Sequence, residues 1–112
     1  MAEALALKVS ELTEELKMSQ EDIGLIVGAT ARSVARWASG EVAPQRLNRQ
    51  RLIELAYVAE ALTEVIRGED ANLWIFSPNR LLNHDTPAER IQQGDFRSVL
   101  AAIEALAEGI VV

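Results

Sequence analysis

The sequence predicts an all-α fold, in which an N-terminal bundle is joined by one long helix to a C-terminal cluster of short helices. Apolar residues recur at helical spacing along the 112 residues, and no segment shows the sustained alternation of a strand. Capping residues and glycines also divide the chain into segments of about one helix each. We expect one region over residues 1–67 and a second over residues 68–112.

The first three helices are predicted from an apolar stripe and from two capping residues. Ser19 is the expected N-cap of the second helix, and Gly28 is its expected left-handed C-cap. Thr30 should cap the third helix, which should run to about Ser39. The first helix is predicted from apolar residues at helical spacing, namely Leu5, Val9, Leu12 and Leu16.

The longest predicted helix begins near Pro44 and ends near Gly68, because apolar residues recur on one broad face between them. Beyond it, Trp74 and its apolar neighbours should lie in the core rather than on a contact surface. In the stretch "SPNRLLNH", Ser77 is the expected cap of a short helix, with Pro78 at its first position.

The last two helices carry clear boundary signals. Thr86 and Glu89 form a predicted capping box, and Gly94 should end that helix. Asp95 should cap the final helix, which should end at Gly109.

The stretch "SQEDIGLIVGATARSVARWASGE" predicts a helix-turn-helix in the N-terminal bundle. A small residue at Gly24 lets the backbones of the two helices approach closely. Apolar side chains then point into a shared core and leave one face of the second helix exposed, as in proteins that insert this helix into the DNA major groove. The alternative is a helical hairpin that buries only its own residues.

The distribution of charge favours an anion-binding face in the same region. Five arginines against Glu41 alone give residues 30–52 a net charge of +4, so the rest of the chain must carry −10 to give the total of −6. The alternative for these arginines is a solvated face with salt bridges to Glu41 and Glu54. The predicted DNA-contacting residues are Thr30, Ala31, Arg32, Ser33, Arg36, Arg46 and Arg49.

Several classes of function are disfavoured by composition. The chain has no cysteine, its single histidine is His84, and it lacks a glycine-rich phosphate loop. Neighbouring acidic residues on a helix diverge by about 100°, so the paired carboxylates do not converge on a substrate. We therefore expect no enzyme activity, no cofactor and no metal. No apolar run is long enough to span a bilayer and no signal peptide is recognisable, so a cytoplasmic protein is expected.

Two parts of the sequence resemble a known family. "MSQEDIGLIVGATARSVARWASGE" resembles the Xre-type helix-turn-helix regulators of bacteria. Trp74, "SPNRLL", "TPAERIQQGDF" and the final "AIEALAEGIVV" resemble the MbcA/ParS toxin-binding domain of Xre-type antitoxins. The resemblance implies an antitoxin of a type II toxin–antitoxin pair. Its implied partner is a RES-class toxin that consumes NAD, whose active site the C-terminal region covers, and it implies repression of its own operon.

Two groups of residues are candidates for contact with the toxin. Asn79 and Arg80 could hydrogen-bond a partner, or they could serve as a cap and a surface group. Residues 109–112 end the sequence with Gly109, Ile110, Val111 and Val112. These apolar side chains could fold back on the core near Phe96, but we favour their insertion into an arginine-rich pocket of the toxin.

Other functions stay open at this level. A stand-alone helix-turn-helix regulator is the main alternative, and a structural interaction module is the third. A homodimer within a larger toxin–antitoxin complex is expected, because paired DNA half-sites favour a symmetric dimer. Co-purification of a toxin would separate an antitoxin from a stand-alone regulator. Salt-dependent binding of operator DNA would separate both from a structural module.

Overall fold

The computed structural model describes the backbone of residues 2–109 and the side chains of residues 3–109. Over this range the regular structure is entirely helical, which confirms the predicted fold class. The elements are α1 (Ala2–Glu15), α2 (Gln20–Val27), α3 (Ala31–Ala38), α4 (Arg46–Thr63), α5 (Gly68–Ile75), a 3₁₀ turn (Arg80–Leu82), α6 (Pro87–Gln92) and α7 (Phe96–Ala107). None of these helices is long and apolar enough to cross a membrane.

The long helix α4 lies at the centre of the molecule. It contacts α1 and α2 on the N-terminal side and α5, α6 and α7 on the C-terminal side. Its inward side chains Leu52, Leu55 and Leu62 are fully buried, and one continuous apolar core extends from Leu5 in α1 to Ile103 in α7. Helix α2 of the helix-turn-helix and the C-terminal helices therefore bury apolar faces against the same element, while α3 packs on α1 and α2.

The predicted helix-turn-helix is present. The Ser19 hydroxyl accepts a hydrogen bond from the Asp22 amide at 3.0 Å, and the Asp22 carboxylate accepts one from the Ser19 amide at 3.1 Å. Gly28 ends α2 with φ at 79°. A Cβ atom on Gly24 would lie 2.5 Å from the carbonyl oxygen of Ala29. The close approach at Gly24 is thus to the turn between the helices, rather than to the body of α3.

The predicted end of the long helix is wrong. The long helix ends at Thr63, not near Gly68, because Val65 and Ile66 continue the apolar pattern into a turn. Gly68 instead begins α5, an element that the sequence did not reveal. No side chain caps the start of α5, so the acidic residues of its first turn, Glu69 and Asp70, are the local signal that remains.

The prediction that Ser77 caps a helix starting at Pro78 is also wrong. The turn begins two residues later, at Arg80, because the side-chain oxygen of Asn79 accepts a hydrogen bond from the Leu81 amide at 2.9 Å. Thr86 and Asp95 do cap α6 and α7 as predicted. The capping residue of this turn is thus Asn79, and not the Ser77 that the serine–proline pair predicted.

Candidate functional site

The predicted DNA-binding face lies on α3 and on the loop before it. Thr30 caps α3 by accepting a hydrogen bond from the Ser33 amide at 3.1 Å, and its hydroxyl also contacts the Ser33 hydroxyl. Arg32 and Arg36 are exposed, while Ala31 is half-buried. The two arginines therefore present their charges to solvent on the helix that a helix-turn-helix inserts into the major groove.

Salt bridges to both Glu41 and Glu54 are present, as the alternative for these arginines predicted. Arg36 lies 3.5 Å from Glu41, with about half of the Arg36 side chain exposed. Glu54 pairs with Arg51 at 3.1 Å, while Arg46 is exposed and Arg49 is half-buried. An exposed pair such as Arg36–Glu41 contributes little stability. The charge of Arg36 thus remains available to a partner, and its contact with DNA stays a prediction.

Asn48 brings the start of α4 to the turn of the helix-turn-helix. Its side-chain amide donates to the carbonyl oxygens of Val27 at 2.9 Å and Gly28 at 3.2 Å. These bonds hold the first turn of α4, with Arg46 and Arg49, beside the loop that precedes α3. Sequence reasoning missed Asn48, because its acceptors lie about twenty residues earlier in the chain.

Asn79 and Arg80, the first pair of predicted toxin-binding residues, have different environments. Asn79 is 4% exposed. It stabilises the turn, since its backbone oxygen accepts a hydrogen bond from the His84 amide at 2.9 Å. Arg80 is exposed on the same turn. Of the two residues, Arg80 therefore has the side chain that is accessible to a partner, whereas Asn79 stabilises the conformation of the turn.

Arg90, which sequence reasoning missed, holds this turn against the last helices. Its guanidinium donates to the carboxylates of Asp85 at 2.8 Å and Asp95 at 3.0 Å, and to the carbonyl oxygen of Leu82 at 2.7 Å. The bond to Asp85 is the main reason why the pKa of Arg90 is raised. No local pattern predicts these three bonds, because Leu82 and Asp85 belong to the turn before α6 whereas Asp95 follows that helix.

Asp95 completes the clamp and caps α7. Hydrogen bonding from Ser98 lowers the pKa of Asp95, Arg90 lowers it further, and burial opposes both effects. The carboxylate is therefore charged at neutral pH and holds both partners. Its stabilising effect is lost only as the pH falls through this lowered pKa.

The second group of predicted toxin-binding residues begins where α7 ends. Gly109 is exposed, with φ at 80°, so the chain changes direction there. Ile110, Val111 and Val112 lie outside the described residues. Within residues 3–109, no cluster of His, Asp and Glu side chains is suited to holding a metal ion.

A groove lies between α5 and the segment that follows it. Its open volume is about 280 Å³, and one wall is the partly buried indole of Trp74. The indole nitrogen of Trp74 is buried without a hydrogen-bond partner, and among the described side chains it is the single polar atom in that condition. The groove is lined by Ile66, Asp70, Leu73, Trp74, Ser77 and Asn79, among others.

Comparison with known proteins identifies relatives for both halves of the chain. Residues 61–109 match the family model described as the antitoxin Xre/MbcA/ParS C-terminal toxin-binding domain. The mycobacterial cidal antitoxin MbcA of Mycobacterium tuberculosis strain H37Rv is 56% identical over 108 residues, which cover 96% of each chain. The MbcA antitoxin of Mycobacterium bovis matches to the same extent.

The fold also matches a solved structure. A chain in the crystal structure of the M. tuberculosis MbcT–MbcA toxin–antitoxin complex superposes with a TM-score of 0.86 at 56% identity. The match covers 96% of the present chain and 97% of the other. Similarity of this extent includes the helix-turn-helix as well as the C-terminal helices.

Proposed function

Since this chain belongs to the antitoxin family that carries the Xre/MbcA/ParS C-terminal toxin-binding domain, we propose that it neutralises a RES-class, NAD-degrading toxin by covering its active site. The observation that carries the proposal is the match of residues 61–109 to a toxin-binding domain. The crystal structure of a 56% identical relative bound to its toxin supports the same role. The protein would act in the cytoplasm, where both NAD and operator DNA are found.

We assign the covering of the active site to residues 109–112. The left-handed conformation of Gly109 turns the chain away from the axis of α7. Ile110, Val111 and Val112 then supply three apolar side chains. Full burial in a pocket would contribute about 1.5–3 kcal/mol for each, before the cost of ordering the segment. Arg80, exposed on its turn, would add a polar contact at the edge of the interface.

Deletion of residues 110–112 tests this assignment. Cells that produce MbcT of M. tuberculosis together with the truncated chain should stop growing and lose NAD, whereas the full-length chain should protect them. The melting temperature of the truncated chain alone should barely change, because the proposal assigns these residues to the toxin interface and not to the core of the isolated protein.

A variant of full length separates apolar contact from chain length. Replacement of Ile110, Val111 and Val112 by serine keeps the backbone but removes the apolar surface, and it should also fail to neutralise MbcT. Full protection by either variant would contradict the assignment. So would a large fall in the melting temperature of the isolated protein, since the segment would then belong to its core.

Autorepression is the second part of the proposed function. The exposed Arg32 and Arg36 on α3, with Arg46 and Arg49 at the start of α4, provide positive charge on one part of an otherwise acidic molecule. A homodimer would present two such helices to the half-sites of an operator. A stand-alone regulator would need the same face, but it would have no use for a toxin-binding domain.

A further inference from the structure

We propose that the exposed face of α4 binds the same face of a second copy of this chain, with the two helices antiparallel. The inference rests on the homodimer of the proposed autorepression and deepens it, because it names the surface that joins the two copies. It requires neither toxin nor DNA, so it can fail while the proposed neutralisation of the toxin holds.

The exposed residues of α4 follow the spacing of a helix–helix interface. Six exposed positions recur at alternating intervals of four and three residues along α4 and its C-cap. In a coiled coil, this spacing keeps one stripe of side chains against the partner helix. The stripe consists of Arg46, Gln50, Ile53, Tyr57, Glu60 and Glu64.

The centre of the stripe is apolar. Ile53 is 46% exposed and Tyr57, one helical turn later, is 57% exposed. The ring of Tyr57 lies 6.4 Å from that of the half-buried Phe96, which widens the apolar patch toward α7. An apolar patch of this kind, with charged residues at both ends, is typical of a protein–protein contact.

The stripe is complementary to its own reverse, which argues for a second copy as its occupant. Two antiparallel α4 helices that are centred on the apolar patch bring Ile53 of one copy opposite Tyr57 of the other. The basic end of each stripe then meets the acidic end of its partner. The opposed pairs are Ile53 with Tyr57, Gln50 with Glu60, and Arg46 with Glu64, and two-fold symmetry makes each pair twice.

The charges of α4 oppose the dipole of the helix itself. Its first turn has no acidic residue and its last turn has no basic one, although a helix favours acids at its N-terminus and bases at its C-terminus. Arg46 begins α4, and Glu64 is its C-cap. An antiparallel second copy offsets both unfavourable interactions, because it brings the opposite charge and the opposite dipole end to each residue. Arg46, also a candidate for DNA contact, would then lie at the edge of the dimer interface.

The stripe offers charges and a depression that the rest of the described chain does not fill. Among residues 3–109, no ion pair includes Arg46, Glu60 or Glu64. A shallow depression of about 330 Å³ lies beside Ile53 and is bordered by Arg46. Tyr57 of the other copy, opposite Ile53, would enter this depression, and buried tyrosines of this kind contribute strongly to interfaces.

Charge reversal tests the outer pair. The wild-type chain of 12.3 kDa should sediment as a dimer in analytical ultracentrifugation. Arg46→Glu or Glu64→Arg alone should raise the dimer dissociation constant by about tenfold or more, because each sets like charges opposite each other at both ends. The double variant should restore the wild-type constant to within about threefold. The two positions lie about 27 Å apart on one helix, so such a rescue requires pairing between copies.

Exposed positions outside α4 supply the controls. Glu14→Arg on α1 changes the net charge as Glu64→Arg does, and Leu25→Asp places a charge on a leucine of α2 that is 64% exposed. Both should change the dimer dissociation constant by less than about threefold, whereas Ile53→Asp should be monomeric. Circular dichroism checks that each variant is folded, and the charge reversals should preserve α4 because they suit its dipole.

Cysteine cross-linking tests the antiparallel register. The chain has no cysteine, so introduced thiols have no other partner. Oxidation of the double variant Gln50→Cys, Glu60→Cys should give a covalent dimer, because these positions are opposed between copies. On one helix they are about 15 Å apart, too far for a disulfide within the chain. Gln50→Cys alone should run as a monomer in denaturing electrophoresis, since antiparallel helices hold its two copies about 15 Å apart.

The outcomes separate this dimer from other occupants of the face. A monomeric wild-type chain, a dimer that both single charge reversals leave intact, or cross-linking of Gln50→Cys alone would each overturn the inference. If the wild type is monomeric and Ile53→Asp loses binding to MbcT of M. tuberculosis, the face belongs to the toxin instead. A dimer that passes these tests but does not bind operator DNA would uphold the α4 interface and contradict the proposed autorepression.

Discussion

At Gly24, a single missing side chain allows α2 to approach the turn that leads to α3. A Cβ atom there would lie 2.5 Å from the Ala29 carbonyl oxygen and 3.3 Å from two backbone carbons of the turn. Backbone atoms cannot rotate away as the end of a flexible side chain can. The geometry of the helix-turn-helix therefore depends on glycine at this position.

Gly24→Ala tests which of two opposed effects is larger. Alanine favours the helix by about 1 kcal/mol over glycine, but the clash should cost about 1–3 kcal/mol or more. We expect net destabilisation and a melting temperature lower by several degrees, measured by circular dichroism. The exposed Leu25→Ala on the same helix is the control, with a change within about 0.5 kcal/mol. A raised melting temperature for Gly24→Ala would show that helix propensity dominates.

The distance between a side chain and its partner explains which single residues could be predicted. Ser19, Thr30 and Thr86 were identified as caps because each bonds an amide three residues later. The role of Asn72 was not predicted, since its side-chain amide donates a hydrogen bond to the carbonyl oxygen of Leu16, 56 residues earlier. Arg90 was missed for a related reason: its three acceptors come together only after the turns around it have folded.

At the scale of the element, α3 combines a structural face with an exposed basic face. Val34 and Trp37 are buried, whereas Arg32 and Arg36 are exposed. The division follows from helical spacing, which is why the sequence sufficed to predict it. In contrast, α5 was missed because Gly68 has the left-handed backbone of a helix end, with φ at 60°, yet begins a helix.

The double variant Arg32→Ala, Arg36→Ala should abolish binding to operator DNA and leave toxin neutralisation intact. Each lost base or phosphate contact should cost about 1–3 kcal/mol. An electrophoretic shift assay with the DNA upstream of the operon, at two salt concentrations, measures the loss. Growth in the presence of MbcT measures neutralisation.

A matched pair of exposed arginines provides the control. Arg67→Ala with Arg97→Ala lowers the net charge equally, but these residues lie outside the basic region of residues 30–52. This control should retain most of the operator binding. If both double variants bind alike, general charge rather than α3 mediates the binding, and the assignment of the recognition helix is wrong.

At the scale of the molecule, α4 makes the folding of the two halves interdependent. Leu52, Leu55, Val58 and Leu62 of α4 are fully buried. Because α4 contacts helices from both halves, unfolding of the C-terminal helices would expose apolar surface on it, at about 25 cal/mol for each Å². The hydrogen bond from Asn72 to Leu16 adds a direct link between α5 and the end of α1.

Both halves should therefore unfold in urea in a single transition. The two tryptophans report on them separately, since Trp37 lies in α3 and Trp74 in α5. Followed by their indole N–H signals in the unmodified chain, the two midpoints should coincide, as they do for a single cooperative domain. If Trp74 loses its native signal at lower urea than Trp37, the C-terminal helices unfold independently. In that case the shared face of α4 contributes too little energy to couple them, and toxin binding could order the C-terminal region without any effect on the helix-turn-helix.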